Sequence, residues 1–307
     1  MAFHLYFAGQ QCKEAEDYMI ERGCCRLFSQ LNEKASIRYY ESLEPERKKP
    51  EMLIDSGAFS VAHAGATANM EQHIEYINQN DDFIEHWVEM DDICMNPFDF
   101  EQVNKCADKS WQNYLYYLDK IKSPEKLIPV FHHGEPYEKL ERMLNTRIPE
   151  LGDKPAPYIG ISRVHVGACT ASNYIPYFEN IFRCVKNSIN PNVKIHAFGI
   201  TALKLLERYP FYSADSTSWL QTGAVGGIMT DFGIVNVSDR SKDKSNIYNL
   251  SKDDRRLIEM YIQERGYNLE ELSKDYKKRM IFNIDYMQDW AEAYQYRPVT
   301  VHNKKLF

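Results

Sequence analysis

Polar and acidic side chains follow most of the short apolar runs in this sequence of 307 residues. Six consecutive runs end in this way, with Asp55-Ser56-Gly57, Glu89 to Asp92, His132-His133-Gly134, Ser162-Arg163, His196 to Gly199 and Asp215-Ser216-Thr217. A single Asp or Ser after a strand usually caps the helix that follows it. Six runs in succession that end in Asp, His, Ser or Arg are hard to explain by capping alone, so they indicate a shared site.

Several carboxylates that face one cavity can take different roles, because repulsion and unequal burial separate their pKa values. One carboxylate stays ionised as a nucleophile while another stays protonated as an acid, which suits chemistry at the anomeric carbon of a sugar. The same groups suit a divalent metal, with ligands from Asp55, Asp91, His133, His196 and Asp215. Composition and spacing alone do not separate these two kinds of enzyme.

The elements that must position these groups are eight apolar, β-rich runs with helical stretches between them. The runs are HLYFAG (4–9), MLIDSG (52–57), HWVEMDD (86–92), LIPVFHH (127–133), PYIGIS (157–162), KIHAFG (194–199), FYSADS (211–216) and AVGGIMTDFG (224–233). Such runs are typical of strands buried on both faces. Eight strand-helix units predict an α/β fold, a (β/α)8 TIM barrel whose carboxyl strand ends form the active-site rim. An open doubly wound sheet is the alternative, but no GxGxxG follows the first run.

Helices are predicted between these runs, at 11–22, 69–80, 99–121, 136–147, 172–187 and 201–208. The seventh crossover is the weakest part of the eight-unit count, because only seven residues separate FYSADS from AVGGIMTDFG. After Val237 the pattern changes to a polar loop and to helices near 251–265 and 269–294. We therefore divide the chain into a catalytic barrel at 1–237 and a helical C-terminal extension at 238–307 that packs on the barrel.

Charge is unevenly distributed along the chain. The formal net charge of −7 does not favour nucleic-acid binding if taken for the whole sequence. Residues 238–307, however, carry 14 Lys and Arg against 12 Asp and Glu, with basic clusters at 252–256 and 274–279. These clusters are either solvated helix faces or a phosphate-contacting surface beside an acidic barrel.

Cysteine usage and hydropathy indicate the compartment. The seven cysteines form no CxxC pair, and their odd number argues against a disulfide framework. No apolar run is long enough to span a membrane, and the first residues lack the basic start of a signal peptide. We expect a soluble cytoplasmic protein with no membrane partner.

Five segments, taken in order, are similar to motifs of one enzyme family. IDSGAFS (54–60) resembles the DSGGFQ motif of tRNA-guanine transglycosylases, and VEMDDIC (88–94) resembles their FDEC segment. VFHHG (130–134) stands where the family has VQG, YIGIS (158–162) where it has IGGLAVGE, and FYSADSTSW (211–219) where its nucleophilic aspartate lies. The resemblance covers residues 50–220 and is closer to the phage and bacterial branch that inserts 7-deazaguanines into DNA.

The resemblance implies separate roles for three aspartates. Asp215 would attack C1′ of a guanosine nucleotide, expel guanine and form a covalent glycosyl-enzyme intermediate. Asp55 would protonate the departing guanine and deprotonate the incoming base. Asp91 would accept hydrogen bonds from guanine N1–H and the exocyclic amine, which only a carboxylate can do bidentately.

Further substrate-binding residues follow from the same resemblance. They are Ser56 and Phe59 around the pocket, His133 with Gly134 and Gly160 beside the purine, His196 on the sixth run, and Trp219, which with Phe59 is a candidate for base stacking. Three features depart from the family. No cysteine follows Cys184, so the family's structural zinc site is absent and we expect no metal or cofactor; His133 replaces the glutamine of VQG; and Ile161 replaces the second glycine of IGG.

The expected function is replacement of guanine in DNA by a free 7-deazaguanine base of the preQ0 type. The target nucleotide must be flipped out of a duplex or already single-stranded. The alternatives are the same exchange on tRNA, which the missing zinc site disfavours, the metal-dependent hydrolase described above, and a degenerate barrel that only binds nucleic acid. A protein partner or a homo-oligomer is left open as the source of a DNA-binding surface, and the compartment is the host cytoplasm if the chain is phage-encoded.

Overall fold

The computed structural model describes residues 2–10, 12–31, 33–43, 51–58, 69–94, 96–162, 174–200, 202–241 and 246–301. Of the residues expected to form the site, Phe59 lies outside these ranges. Every other predicted site residue lies within them.

Nine strands in the described ranges form one parallel sheet with the order β5-β4-β3-β2-β1-β9-β8-β7-β6. Their bounds are β1 His4–Ala8, β2 Cys25–Ser29, β3 Met52–Asp55, β4 His86–Val88, β5 Leu127–Ile128, β6 Val130–His132, β7 Tyr158–Ser162, β8 Lys194–Phe198 and β9 Ser213–Ser216. The two edge strands, β5 and β6, are separated along the chain by Pro129 alone. The sheet therefore curves round to meet itself as a nearly closed barrel, as the sequence predicted.

The seam of the barrel lies at Pro129. Proline has no backbone N–H, so it cannot continue a ladder of strand hydrogen bonds. Beyond it the N–H of Val130 donates to Oε1 of Glu89, 3.2 Å away, in place of a backbone acceptor. A buried glutamate thus joins the end of β4 to the start of β6.

Two strand assignments from the sequence were wrong. The segment CRLFS, which was not predicted as a strand, is β2 and pairs with both β1 and β3. AVGGIMTDFG, predicted as the eighth barrel strand, instead forms an antiparallel hairpin of β10 (Gly227–Thr230) and β11 (Gly233–Asn236) outside the barrel sheet. The reason is the length of the connection, because only ten residues, 217–226, separate β9 from β10, and a crossover to a parallel strand needs about a dozen or more.

The helices of the described chain largely match the predicted positions. They are α1 Lys13–Arg22, α2 Lys34–Glu41, α3 Met70–Asn80, α4 Phe100–Leu118, α5 Tyr137–Asn145, α6 Ile175–Asn187, α7 Leu203–Arg208, α8 Ser218–Ala224, α9 Lys252–Glu264, α10 Leu269–Lys274 and α11 Tyr276–Ala293. Short 3₁₀ turns lie at Pro124–Lys126, Pro149–Leu151, Ile247–Asn249 and Val299–Val301. Helices α2 and α8 were not predicted. The single helix predicted at 269–294 is divided at Asp275, whose carboxylate accepts the N–H of Lys277 at 2.8 Å and begins a new helix.

Three hydrophobic clusters hold these elements together. One fills the barrel interior with side chains from strands β1 to β7 and from two tyrosines outside the strands: Tyr6, Ala8, Leu27, Leu53, Val88, Ile128, Val130, Tyr158, Tyr212 and Tyr296. A larger one lies between the strands and the surrounding helices. A third joins the β10–β11 hairpin to the C-terminal extension through Ile228, Val235, Val237, Ile247, Ile258, Ile262, Leu272 and Phe282.

The C-terminal extension is anchored to the barrel by α11. Its residues Met280, Ile284 and Met287 belong to the cluster between strands and helices, and α11 packs against α1, α8 and β1. This helix thereby covers the side of the barrel that the short α8 leaves open. Within the ranges given above, no helix is at once long enough and apolar enough to cross a membrane.

Candidate functional site

A cavity of about 370 Å³ opens at the carboxyl ends of the barrel strands. Asp55, Asp91 and Asp215 all line it, together with Leu27, Val88, Ile93, Val130, His132, Ser162, Phe198, Gly199 and Thr217. Parallel strands point the same end toward one rim, so residues far apart in sequence meet there. The three aspartates expected to carry chemistry thus face one space of a size suited to a small molecule.

Asp55 is the last residue of β3 and has a raised pKa. Burial raises the pKa of this carboxyl, and the nearby charges of Asp91 and Asp215 raise it further. The N–H of Gly57 donates to Oδ2 at 3.3 Å and opposes the shift only in part. The pKa of Asp55 is therefore raised to about 7, and a group with such a pKa both gives and takes a proton near neutrality.

The turn after Asp55 depends on glycine. Gly57 has a φ of +81°, and a Cβ at this position would lie 2.8 Å from the side chain of Leu31. The next turn of backbone is closed by Ser56, whose buried Oγ accepts the N–H of Ala58 at 3.2 Å. Ser56 therefore shapes the loop beneath the cavity rather than lining the cavity.

Asp91 is paired with a buried histidine. His132 Nε2 lies 2.7 Å from Asp91 Oδ2, and His132 Nδ1 lies 2.9 Å from Glu135 Oε1. Burial alone would lower the pKa of His132, but the hydrogen bonds and charges of these two carboxylates raise it to about 10. The ring is therefore an imidazolium at neutral pH, and it compensates the negative charge on Asp91.

The segment that carries Asp91 is held by helix α4. Asn113 Nδ2 donates to the carbonyl of Met90 at 2.8 Å, and Ser110 Oγ accepts the N–H of Asp92 at 2.8 Å. Beneath the segment, burial raises the pKa of Glu89 well above its ordinary value, and the charge of Asp91 adds to this. Burial thus favours the protonated form of Glu89, while Asp91 has the charged ring of His132 beside it.

Asp215 is positioned from two sides. Its Oδ1 accepts the N–H of Gly199 at 2.8 Å and lies 3.3 Å from Nε2 of His196. His196 is fully buried, and its Nδ1 shares a hydrogen bond of 2.6 Å with Ser213 Oγ. In the described chain both contacts of the Asp215 carboxylate fall on Oδ1, so Oδ2 is the oxygen left to react.

The other expected residues fall into different surroundings. Gly160 lies inside the barrel, where a Cβ would come within 2.4 Å of the Phe198 ring, so its role is to make room for that ring. Gly134 has a φ of +101° and forms the turn after β6. Trp219, proposed for base stacking, is instead fully buried, and its indole N–H donates to the carbonyl of Ala8 at 3.0 Å.

His133 does not line the cavity with the three aspartates. Its ring contacts Tyr174 and Tyr177, with centroids 6.0 and 4.7 Å apart. Burial lowers its pKa. The histidine that lines the cavity with the aspartates is His132, whereas His133 was the residue predicted from the sequence. The alternation of side chains along a strand could have indicated His132, because Val130 and His132 point to one face and Phe131 points to the other.

The basic clusters of the extension are largely occupied within the protein. Lys274, Lys277 and Lys278 pair with Glu270, Glu14 and Glu271 at 2.6, 2.6 and 3.7 Å. The buried Arg279 donates to the carbonyls of Gly223 and Leu272. The cluster at 274–279 therefore fits a set of structural contacts and ion-paired helix faces better than a phosphate-binding surface.

No protein-family model matches the chain, and no curated protein matches it. Functional inference therefore rests on the residues of the site. Its chemistry is that of three carboxylates in three states: Asp55 with a pKa of about 7, Asp91 beside an imidazolium, and Asp215 under a backbone N–H. In the described part of the chain, the five residues considered as metal ligands do not bring three ligand atoms within 4.8 Å of one another.

Proposed function

We propose that this chain is a guanine/7-deazaguanine transglycosylase that acts on DNA through a covalent aspartyl-glycosyl intermediate. The observation that carries the proposal is the convergence of Asp55, Asp91 and Asp215 on one cavity, where each carboxylate has different hydrogen-bond partners. Base exchange needs a nucleophile, a proton carrier and a group that reads the base, and each aspartate suits one of these roles.

Asp215 is the nucleophile. The Gly199 N–H and His196 fix Oδ1, so the carboxylate is oriented before the substrate arrives and Oδ2 attacks C1′ of the nucleotide. The bond between C1′ and N9 of guanine breaks, and its electron pair leaves with the base. The same carboxylate departs again when N9 of the incoming 7-deazaguanine attacks C1′.

Asp55 carries the proton in both directions. It gives a proton to guanine as the base leaves and takes the N9 proton of the incoming 7-deazaguanine, which restores its starting state. This role needs a group whose protonated and ionised forms are both populated near neutral pH. A pKa of about 7 meets this need.

Asp91 reads the base, and His132 holds its carboxylate in place. N1–H and the exocyclic amine of guanine are two donors side by side, which a carboxylate accepts as a pair. The oxygen bonded to His132 retains a second lone pair for this purpose. An imidazolium beneath Asp91 supports recognition of both guanine and 7-deazaguanine, because the two bases share this edge.

DNA is favoured over tRNA by the sequence of the extension. In the tRNA enzymes that the chain resembles, a zinc site with cysteine ligands supports the tRNA-docking part. No cysteine follows Cys184 in this sequence, so the cysteine ligands of that zinc site are missing here. In its place stands a hydrophobic cluster of the hairpin with α9, α10 and α11.

The test is incorporation of a labelled base. The protein is incubated with labelled 7-deazaguanine of the preQ0 type and, in parallel, with single-stranded DNA, duplex DNA or tRNA, and the nucleosides are then analysed. We expect label in DNA, together with a DNA adduct of the protein that survives denaturation. Asp215→Asn should lower both by at least about 1,000-fold, while Asp119→Asn at the exposed end of α4 should change neither.

Wild-type exchange by Asp215→Asn, or no incorporation into any polymer, would overturn the proposal. Label in tRNA alone would support the base-exchange chemistry and show that the substrate is tRNA instead of DNA.

A further inference from the structure

Four adjacent strands of the barrel begin with residues of metal-ligand type. His4, Cys25 and His86 are the first residues of β1, β2 and β4, and Glu51 directly precedes β3. These strands are neighbours in the sheet. The four residues lie at the amino ends of the strands, opposite the rim that carries the aspartates.

All four side chains share the inward face of the barrel. Side chains alternate along a strand, so each of the four has the same parity as an interior residue of its strand, namely Tyr6, Leu27, Leu53 and Val88. Glu51 thus stands four residues before Asp55 on one face of β3. The barrel axis therefore has one polar cluster at each end.

The ligand atoms of three of these residues converge. One nitrogen of His4, Sγ of Cys25 and one oxygen of Glu51 all lie within 4.8 Å of one another, and His4 Nδ1 is 2.8 Å from Glu51 Oε2. Bonds of about 2.0–2.3 Å to a tetrahedral zinc place its ligand atoms about 3.5 Å apart. Small side-chain rotations are enough to reach that geometry.

Hydrogen bonds to His4 and Glu51 orient these two side chains, as hydrogen bonds commonly orient metal ligands. His4 Nε2 is 2.9 Å from the hydroxyl of Tyr212, and the hydroxyl of Tyr6 donates to Oε1 of Glu51. A ligating histidine commonly has its other ring nitrogen hydrogen-bonded in this way.

His86 lies beside this set through Glu51, although its ring nitrogens are not within 4.8 Å of all three ligand atoms. Its Nε2 lies 3.7 Å from Glu51 Oε1, close to the spacing of two ligands on one zinc ion. Its Nδ1 is buried and has no hydrogen-bond partner among the described atoms.

We propose that His4, Cys25 and Glu51, with His86 as the fourth ligand, bind one Zn²⁺ at the amino end of the barrel. A thiolate with imidazoles and one carboxylate selects zinc over the oxygen-seeking Mg²⁺ and Ca²⁺. A cavity of about 470 Å³ lined by His4, Cys25 and Glu51 gives the ion a route in. The ion would fasten the starts of four strands, and none of its ligands belongs to the aspartate cavity.

The experiment measures metal rather than base exchange. The full chain without a histidine tag is purified, and bound zinc is measured by mass spectrometry after gel filtration. We expect about one zinc per chain. Replacement by Co²⁺ should produce the visible bands of a tetrahedral site and a thiolate-to-cobalt charge-transfer band in the near ultraviolet.

Variants separate this site from other cysteines. Cys25→Ser should remove the charge-transfer band and weaken zinc binding at least about 10-fold, and Glu51→Gln should weaken zinc binding while keeping the band. Cys184→Ser on α6 is the matched control and should change neither. If Cys25→Ser does not fold, judged by circular dichroism, His4→Gln and Glu51→Gln provide the same comparison of zinc affinity.

A wild-type chain that binds no zinc, or a charge-transfer band that persists in Cys25→Ser, would overturn the proposal. Because no readout depends on catalysis, its failure would leave the proposed function untouched, and failure of base exchange would leave the zinc site untouched.

Discussion

His132 Nε2 lies 2.7 Å from Asp91 Oδ2 in the wall of the aspartate cavity, with both side chains almost fully buried. Glu135 holds the other ring nitrogen at 2.9 Å. A buried cation between two carboxylates is stable only while all three partners are present, because removal of one leaves an uncompensated buried charge. This arrangement makes the stability of the protein depend on pH in a direction that can be calculated.

The first prediction concerns His132→Gln. The folded pKa of His132 is about 10, against about 6.5 in an unfolded chain. The stability it contributes is therefore fully present below about pH 6.5 and is lost as the pH rises through about 10. We expect the variant to lose about 3–5 kcal/mol at pH 6, and the difference from wild type to shrink steadily toward pH 10 in urea unfolding.

His73→Gln is the matched control for this pH dependence. His73 is also buried, but burial lowers its pKa to about 4, so it is neutral throughout the range from pH 7 to 10. Its effect on stability should be flat in that range. A flat difference for His132→Gln as well would show that His132 is not charged in the folded protein.

The second prediction concerns Asp55→Asn. Because the folded pKa of Asp55 is about 7, its contribution to stability is fully present below the unfolded pKa of about 4 and is lost as the pH rises through about 7. Asparagine resembles the protonated acid and does not ionise. Between pH 4 and 8 the variant should therefore gain about 4 kcal/mol relative to wild type in unfolding experiments.

Loss of base exchange should accompany this gain in stability. Without a proton carrier we expect the exchange rate of Asp55→Asn to fall at least about 100-fold. A stability difference that does not change with pH would mean that Asp55 ionises in the native state as easily as in the unfolded chain.

The third prediction concerns the space above Gly160. A Cβ there would lie 2.4 Å from Cε2 of Phe198 and 3.3 Å from Cγ2 of Val130. Gly160→Ala should therefore cost about 1–3 kcal/mol and push the Phe198 ring into the cavity, which would raise the KM for the incoming base. Adding Phe198→Ala tests the cause: the double variant should lose less stability than the sum of the two single variants, and simple additivity would contradict the clash.

The fourth prediction concerns a buried ion pair outside the site. Arg26 is fully buried on β2, and its Nη2 lies 2.8 Å from Oε1 of Glu16. Glu16→Gln leaves the guanidinium without its counter-charge, so we expect a loss of about 3–5 kcal/mol in thermal or chemical unfolding. Glu101→Gln breaks an exposed pair with Lys105 of similar length and should have no measurable effect. Equal effects of the two variants would mean that Arg26 is compensated by its other partners.

Much of the fold was predictable because its signals are local. Eight of the nine barrel strands in the described chain lie within apolar runs bounded by polar residues, with β5 and β6 in one run that Pro129 divides, and such a run needs no partner to be recognised in the sequence. Strand β2 was missed because Arg26 interrupts its apolar pattern, and only the packing of α1 against the barrel supplies Glu16 to neutralise it. The hairpin at 227–236 was taken for a strand because its composition is that of a strand, whereas its topology depends on the short connection that follows β9.

For the candidate site, the sequence alone was enough to place Asp55, Asp91 and Asp215 at the ends of strands and therefore on one rim. It did not determine which neighbours would change their chemistry. The choice between His132 and His133, the burial of Trp219 and the contact of Gly160 with Phe198 depend on which face of each strand turns inward when the barrel closes. Proton affinity, likewise, follows from burial and from charges that come close only in the folded chain. Residue types and their order are local properties of a sequence, while pKa values and contacts belong to the tertiary structure.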